Sequence, residues 1–287
     1  MDPGPAAFAL GMGSAVTLAL ANTCVKAAGD ILGARTLMAL TSSILVMPFL
    51  LLVPPPGPAT LLLLGLSLPA HWLYQMALVQ ALSRGDLSVV FPIMRGSAPL
   101  LTGLVAIVWL GEHLSPLALS GLIIASLATA VFAAPQKGPR GAQSGAVLWA
   151  LATGVGIAVY NVIDAQGVRT ALSETGTAWS FILWLFALDW IGITGLTLAR
   201  RGLREYLASA RRSLLLGIAA GVSSLASFSM ALYGFTLTSV AYISAMRETA
   251  VVFAALMGVW LLREGFGVRR VLGALMLAAG LSLLQFG

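Results

Sequence analysis

The stretch LSVVFPIMRGSAPLLTGLVAIVWL, residues Leu87–Leu110, is long enough to cross a bilayer as a helix, since about 20 apolar residues suffice. It nevertheless carries Arg95 well inside it, between Pro92 and Pro99. The pattern returns in Ser239–Leu262, SVAYISAMRETAVVFAALMGVWLL, with Arg247 at the matching depth. A shift of 152 residues aligns Met94 with Met246, Arg95 with Arg247, Ala98 with Ala250, Glu112 with Glu264 and Gly121 with Gly273. A duplicated apolar segment with a charge inside it sets the terms for the rest of the chain.

Apolar residues fill 59% of the 287 positions and charged residues 9%, and the mean hydropathy is +0.96. A soluble domain carries about 25% charged residues, so this chain cannot cover a water-exposed surface. The apolar runs are continuous and lack the alternation that spanning strands need. The fold class is therefore an all-α membrane protein. Cys24 is the only cysteine, which excludes an intrachain disulfide. An isoelectric point of 10.1 would suggest nucleic acid in a soluble chain. Here the basic residues lie beside spans, where they set orientation, and no nucleic-acid partner is expected. The start, MDPGPAAFAL, lacks the basic n-region of a signal peptide, so the first apolar segment is read as retained.

Ten spans account for nearly the whole chain, at about 5–28, 31–53, 60–82, 87–111, 114–134, 144–167, 177–199, 214–236, 238–262 and 266–286. The linker-like stretch 135–143, PQKGPRGAQ, divides residues 1–134 from residues 144–287, five spans each. Thirteen Lys and Arg fall on the side reached by the end of the first span, including Lys26, Arg35, Arg84 and the segment 200–213, RRGLREYLASARRS, read as a loop. Arg169 alone falls opposite, while Arg95 and Arg247 lie within spans. That bias puts the basic side in the cytoplasm and both termini outside it. With five spans per half, the second half enters from the opposite face. The halves are then inverted repeats around a central cavity, an arrangement suited to alternating access.

Several stretches resemble the drug/metabolite transporter superfamily, in its ten-helix form with two EamA domains. They are ALANTCVKAAGD at the end of the first span and MALVQALSRGDLSVVFPIMRGSAPL followed by WLGEHLSPLALSGLIIA. The second copies read MALYGFTLTSVAYISAMRETAVV and WLLREGFGVRRVLGALMLAAG. The resemblance covers nearly the whole chain. It implies ten helices around a cavity and secondary transport of small metabolites, often outward.

An arginine at mid-membrane costs about 2.5–3.5 kcal/mol on insertion scales, so Arg95, Arg247 and Glu248 must face the bundle interior. They form either an ion pair that fixes helix register or a site for an anionic or zwitterionic substrate, whose carboxylate suits arginine's planar fork. Neighbours on one helix, Arg247 and Glu248 point about 100° apart, so Glu248 is expected to pair with Arg95 and leave Arg247 for substrate. Tyr242, Ser244 and Thr249 are nearby candidates for polar contacts. Pro92 and Pro99 each remove a backbone donor and are expected to disturb the helix around Arg95. Asn22 aligns with Asn161 under a shift of 139, with Lys26 and Asp164 one turn further along. Lys26 either serves the site or snorkels to headgroups, and Asp164 is either functional or solvated in an outer vestibule. Asp189, mid-span beside Trp190, must be protonated or paired. His71 either titrates near neutral pH or hydrogen-bonds within the bundle. Trp72, Tyr74, Tyr160, Tyr233 and Tyr242 either stack on a substrate or pack the core. Gly217 and Gly221 form a GxxxG pair for close helix approach.

These readings converge on a transporter of the bacterial inner membrane that moves a small polar metabolite, amino acid-like or an organic anion. The substrate-binding candidates are Arg247, Arg95, Glu248, Tyr242, Ser244, Asn22, Asn161, Trp72 and Tyr74. Asp189, Glu248 and Asp164 are candidates for proton coupling. A channel, facilitative pore or scaffold is the alternative. A membrane enzyme is a weaker one, because two histidines and one cysteine offer no metal-ligand cluster, and no GxSxG elbow or P-loop is present. No cofactor or metal is expected; the partners are the bilayer and a small molecule, with the chain a monomer or homodimer. A reporter fused after Gly287 should be active outside the cytoplasm, and a tag within Arg200–Arg212 should be cytoplasmic. Cytoplasmic activity from the C-terminal fusion would refute the orientation.

Overall fold

Backbone polar groups have no water to bond in a bilayer core, so a spanning chain must satisfy them within helices. The computed structural model describes residues 4–84, 87–133, 144–262 and 268–286, and among them it contains helices and no strand. The helices are α1 (Gly4–Ala27), α2 (Ile31–Val46), α3 (Pro58–Arg84), α4 (Leu87–Leu110), α5 (Pro116–Ala133), α6 (Ser144–Thr175), α7 (Trp179–Arg212), α8 (Leu214–Gly234), α9 (Val240–Arg247), α10 (Ala250–Leu262) and α11 (Val268–Phe286). A 3₁₀ turn at Met47–Leu52 extends α2. The 135–143 linker and Glu264 lie outside the described residues.

Seven helices among the described residues are long and apolar enough to cross a membrane: α1, α2 with its 3₁₀ extension, α3, α4, α6, α7 and α8. Of the ten expected spans, the fifth and tenth have shorter apolar stretches, Pro116–Val131 and Val271–Phe286, and the ninth is divided between α9 and α10. The segment expected as a basic loop after residue 199 is instead a continuation of α7 past a bend at Gly202, whose φ of 73° is open to glycine without strain. Beyond the bend, Tyr206 and Ala210 sit one turn apart and are both buried, while Arg204, Arg211 and Arg212 are exposed. That 3.6-residue periodicity makes the segment helical.

Proline placement does not decide where the duplicated helix breaks. α4 runs unbroken through Pro92 and Pro99. The interruption falls in the copy that has no proline, at Glu248 and Thr249. There the N–H groups of Glu248, Thr249, Val251 and Val252 each donate to the carbonyl three residues back, at 2.9–3.1 Å. One tightened 3₁₀ turn thus separates α9 from α10 without leaving these donors empty.

The helices pack in reciprocal pairs. α1 lies against α8 and α3 against α6; α1 also meets α9 and α10, while α6 meets α4. α2 packs on α7, and α5 on α11. Small residues set the closest approaches. A Cβ at Gly121 would stand 2.5 Å from the Gly280 carbonyl, and one at Gly221 would meet Thr41 and the Met38 carbonyl of α2. Gly121 therefore meets Gly280, not its sequence counterpart Gly273. At one end of the bundle Glu174 caps α3, accepting from the N–H groups of Ala59 and Thr60 and from the Thr60 hydroxyl.

At the other end Asp30 caps α2 by accepting from Gly33 N at 3.1 Å, and it binds Ser209 Oγ at 2.6 Å and Arg201 Nη1 at 2.5 Å. Burial raises the carboxyl pKa, but bonds from Ser209, Arg201 and Gly33 outweigh that and hold it below the usual aspartate range. A lowered folded pKa stabilises the protein above the unfolded value, about 3.9, and that contribution fades as pH falls through the folded value. Asp30→Ala should cost about 1–2 kcal/mol at pH 7. In thermal unfolding, the gap between parent and variant should close as pH drops below about 4; a gap constant with pH would contradict this role.

Candidate functional site

A cavity of about 160 Å³ lies at the centre of the bundle. α1 contributes Asn22, α2 Arg35 and Met38, α3 His71, Tyr74 and Gln75, and α4 Arg95 and Thr102. From the second half come Tyr160 and Asn161 of α6, Asp189 of α7, Phe228 of α8, and Ser244, Arg247 and Glu248 at and just beyond α9. Every residue of α9 is buried, and of its polar side chains Ser244 and Arg247 border the cavity.

The expected cross-bundle contact is present. Arg95 Nη1 stands 3.4 Å from Glu248 Oε1, at the long end for a hydrogen bond. The second oxygen, Oε2, has no partner among the described residues. Arg247 makes no ion pair among the described residues; its guanidinium lies over the Phe228 ring, 5.0 Å from the centroid, and its Nε is unpartnered. A cation on an aromatic face keeps electrostatic support while its N–H groups stay available.

Nine buried side-chain polar atoms among the described residues lack a partner, and six of them line this cavity. They are Thr102 Oγ1, Asn161 Oδ1, Asp189 Oδ1, Ser244 Oγ, Arg247 Nε and Glu248 Oε2. Leaving a buried donor or acceptor unmet costs about 1–3 kcal/mol, so their concentration in one place leaves a polar surface for water or a small molecule to complete. Three are carbonyl or carboxylate acceptors, one is a charged donor, and two are hydroxyls that do either. This set can receive an ammonium and a carboxylate together.

Asp164 is fully buried and is not solvated in an outer vestibule. Its Oδ2 lies 2.9 Å from His71 Nε2, and its Oδ1 accepts the Ser67 hydroxyl. Asn22, Asn161, Tyr74, Ser244 and Asp189 all border the cavity. Trp72 and Tyr242 lie elsewhere. The Trp72 indole donates to the Asp189 carbonyl and packs over Gly192, and the Tyr242 hydroxyl donates to Gln285 of α11. Thr249 Oγ1 bonds back to the Met246 carbonyl, and Lys26 is exposed. Sequence reasoning missed Arg35, Gln75, Thr102 and Phe228. Arg35 was hidden among the orientation charges, and Thr102 and Phe228 have no pattern that separates them from core residues.

The two ends of the bundle differ. A second pocket, lined by Asp30, Arg35, Gln75, Ser83, Arg200 and Arg201, shares Arg35 and Gln75 with the central cavity. It leads toward the end holding the α1–α2 connection. At the opposite end Arg169 of α6 donates to the carbonyls of Phe235 (2.9 Å) and Thr238 (3.1 Å) and to Glu112 Oε1 (2.8 Å). Glu112, between α4 and α5, also accepts the Val240 N–H of α9's first turn at 3.1 Å. This network ties the α4–α5 and α8–α9 connections to α6 across that end.

Removing one member of a buried ion pair costs about 3–5 kcal/mol; for Arg95→Ala the loss should fall at the low end, given the long contact. Exchange of the charges at Arg95 and Glu248 should recover part of it. Arg247→Ala breaks no ion pair and should keep the parent's thermal unfolding midpoint. Equal losses from Arg95→Ala and Arg247→Ala would show that both serve only the fold.

Residues 144–286 match the EamA-like transporter family. No curated protein matches the sequence. A solved structure, described as a crystal structure of a protein, superposes with a TM-score of 0.76 at 16% identity, covering 96% of this chain and 95% of its own. At that identity the likeness is one of fold. With its apolar helices and an EamA-like transporter family domain over residues 144–286, the chain is a multi-pass membrane protein of the drug/metabolite transporter superfamily.

Proposed function

We propose that this protein is a secondary transporter that carries a small zwitterionic or anionic metabolite, amino acid-like in its charged groups, by alternating access across a bacterial inner membrane. The observation that carries the reading is the cluster of unpartnered charged and polar atoms around a central cavity. Arg247 receives the substrate carboxylate, with Ser244 beside it. Asp189, Asn161 and Glu248 Oε2 offer acceptors to an ammonium. Tyr74 flanks the space.

Residues 1–134 and 144–287 act as two inverted repeats, α9 and α10 together forming one of ten spans. The reciprocal packing supports this: exchanging the halves turns the α1–α8 contact into the α6–α3 contact and maps α2–α7 and α5–α11 onto themselves. Such halves can exchange conformations around a fixed site. The basic end of the bundle is cytoplasmic and both termini are outside. In this conformation the cavity communicates with the cytoplasmic end through Arg35 and Gln75, and the Glu112–Arg169 network closes the outer end. Opening outward would break that network and release α9, which carries Arg247 at its other end.

Two experiments test this. With Cys24 replaced by Ala, Ser244→Cys should react with a membrane-impermeant maleimide from the cytoplasmic face, and Glu112→Gln should raise labelling from the outer face several-fold. Equal labelling from both faces in the parent would instead indicate an open pore. In proteoliposomes preloaded with an unlabelled amino acid mixture, uptake of the labelled mixture should saturate and show counterflow; linear, non-saturating flux would favour a channel.

A further inference from the structure

His71 stands out among the cavity residues, because it binds a carboxylate behind the wall and borders the cavity in front. The ring bridges α3 to α6 through Nε2 and Asp164 Oδ2, 2.9 Å apart, and stacks on Tyr160 with centroids 4.2 Å apart. Phe228 meets it edge-on at 5.5 Å. Asp164 has no exposed surface, and its other oxygen is occupied by the Ser67 hydroxyl. Among the described residues, no arginine or lysine reaches Asp164 to form an ion pair, so His71 is the group placed to balance its charge. A carboxylate that is both desolvated and bonded to an imidazole is stabilised when that imidazole is protonated.

We propose that His71, oriented by Asp164, is the proton-carrying group of the cavity, and that its protonation state sets the charge the site presents to substrate. The Nε2–H stays donated to Asp164 in both states. The exchangeable proton is the one on Nδ1, passed to and from solvent reaching the cavity. Losing it converts imidazolium to neutral imidazole and leaves Asp164 an acceptor carboxylate.

The charged and titratable groups around the ring explain the effect. Asp164 and Tyr160 approach from α6, Asp189 from α7 and Arg247 from α9, while Tyr74 lies one turn along α3 and α8 contributes only Phe228. With the Arg95–Glu248 pair and Arg35 included, a proton on His71 adds one positive charge to this set whatever the state of Asp189, and favours an anionic group beside Arg247; its release weakens that preference. The consequence for transport rests on the proposed function, whereas the proton site does not.

The chain has two histidines, and His113 lies exposed between α4 and α5. With His113→Gln and ¹⁵N-ring-labelled histidine, His71 is the one ring signal in lipid nanodiscs. One titration step is expected over the pH range in which the protein stays folded, with Nε2 protonated throughout and Nδ1 changing. Asp164→Asn should abolish the step, and Ser67→Ala, a milder change at the same carboxylate, should displace it while keeping it single. A ring fixed in one form across this range in the parent overturns the proposal, as does a step unchanged by both variants. Success here with no counterflow in proteoliposomes would overturn the transporter reading and leave the proton site standing.

Discussion

A guanidinium held inside a bilayer must find a counter-charge, a cavity or an aromatic face, and this chain holds two. Arg95 on α4 uses Glu248 just past α9, and Arg247 uses the Phe228 ring of α8. Meeting both demands brings α4, α8 and α9 around one point. The cavity follows, because residues committed to charges cannot also fill the centre with apolar side chains. Desolvated charges gain little net stability over well-packed apolar replacements. Arg247 Nε and Glu248 Oε2 keep hydrogen-bonding capacity that no described residue meets, which is the basis of the proposed site.

The rest of the bundle holds that point rigid while leaving its two ends different. Glycines at 121 and 280 bring α5 and α11 into backbone contact, and glycines at 217 and 221 seat α8 on α2. Without water to drive apolar surfaces together, such close contact supplies much of helix association in a membrane. Against this frame, α9 is only eight residues long, clamped by Glu112 at its start and released into a 3₁₀ turn at its end. Whatever alters the clamp acts directly on the element that bears Ser244 and Arg247.

Much of the architecture was legible without coordinates. The positions of the seven long apolar helices follow from apolar length, and the contact of Arg95 with Glu248 follows from angular spacing on a helix and the cost of an unpaired charge. The break between α9 and α10 was not legible. Prolines in α4 pointed to the wrong copy, because an intact helix can absorb a missing donor when its neighbours hold it, whereas a tightened turn needs no signature residue. The basic stretch after residue 199 read as a loop because its arginines masked the apolar periodicity of Tyr206 and Ala210.

By itself, the sequence determined the membrane class, the repeated arginine segments and the charge bias between faces, since these depend on composition and spacing along one chain. Only the tertiary structure decided which polar side chains share a space. Asp164 became a buried partner of His71, Trp72 and Tyr242 turned to α7 and α11, and Arg35 and Thr102 joined the cavity wall. In a chain this apolar nearly every helix face looks alike. The face that meets the cavity is fixed by close contacts between helices distant in sequence, and those contacts leave no periodic mark.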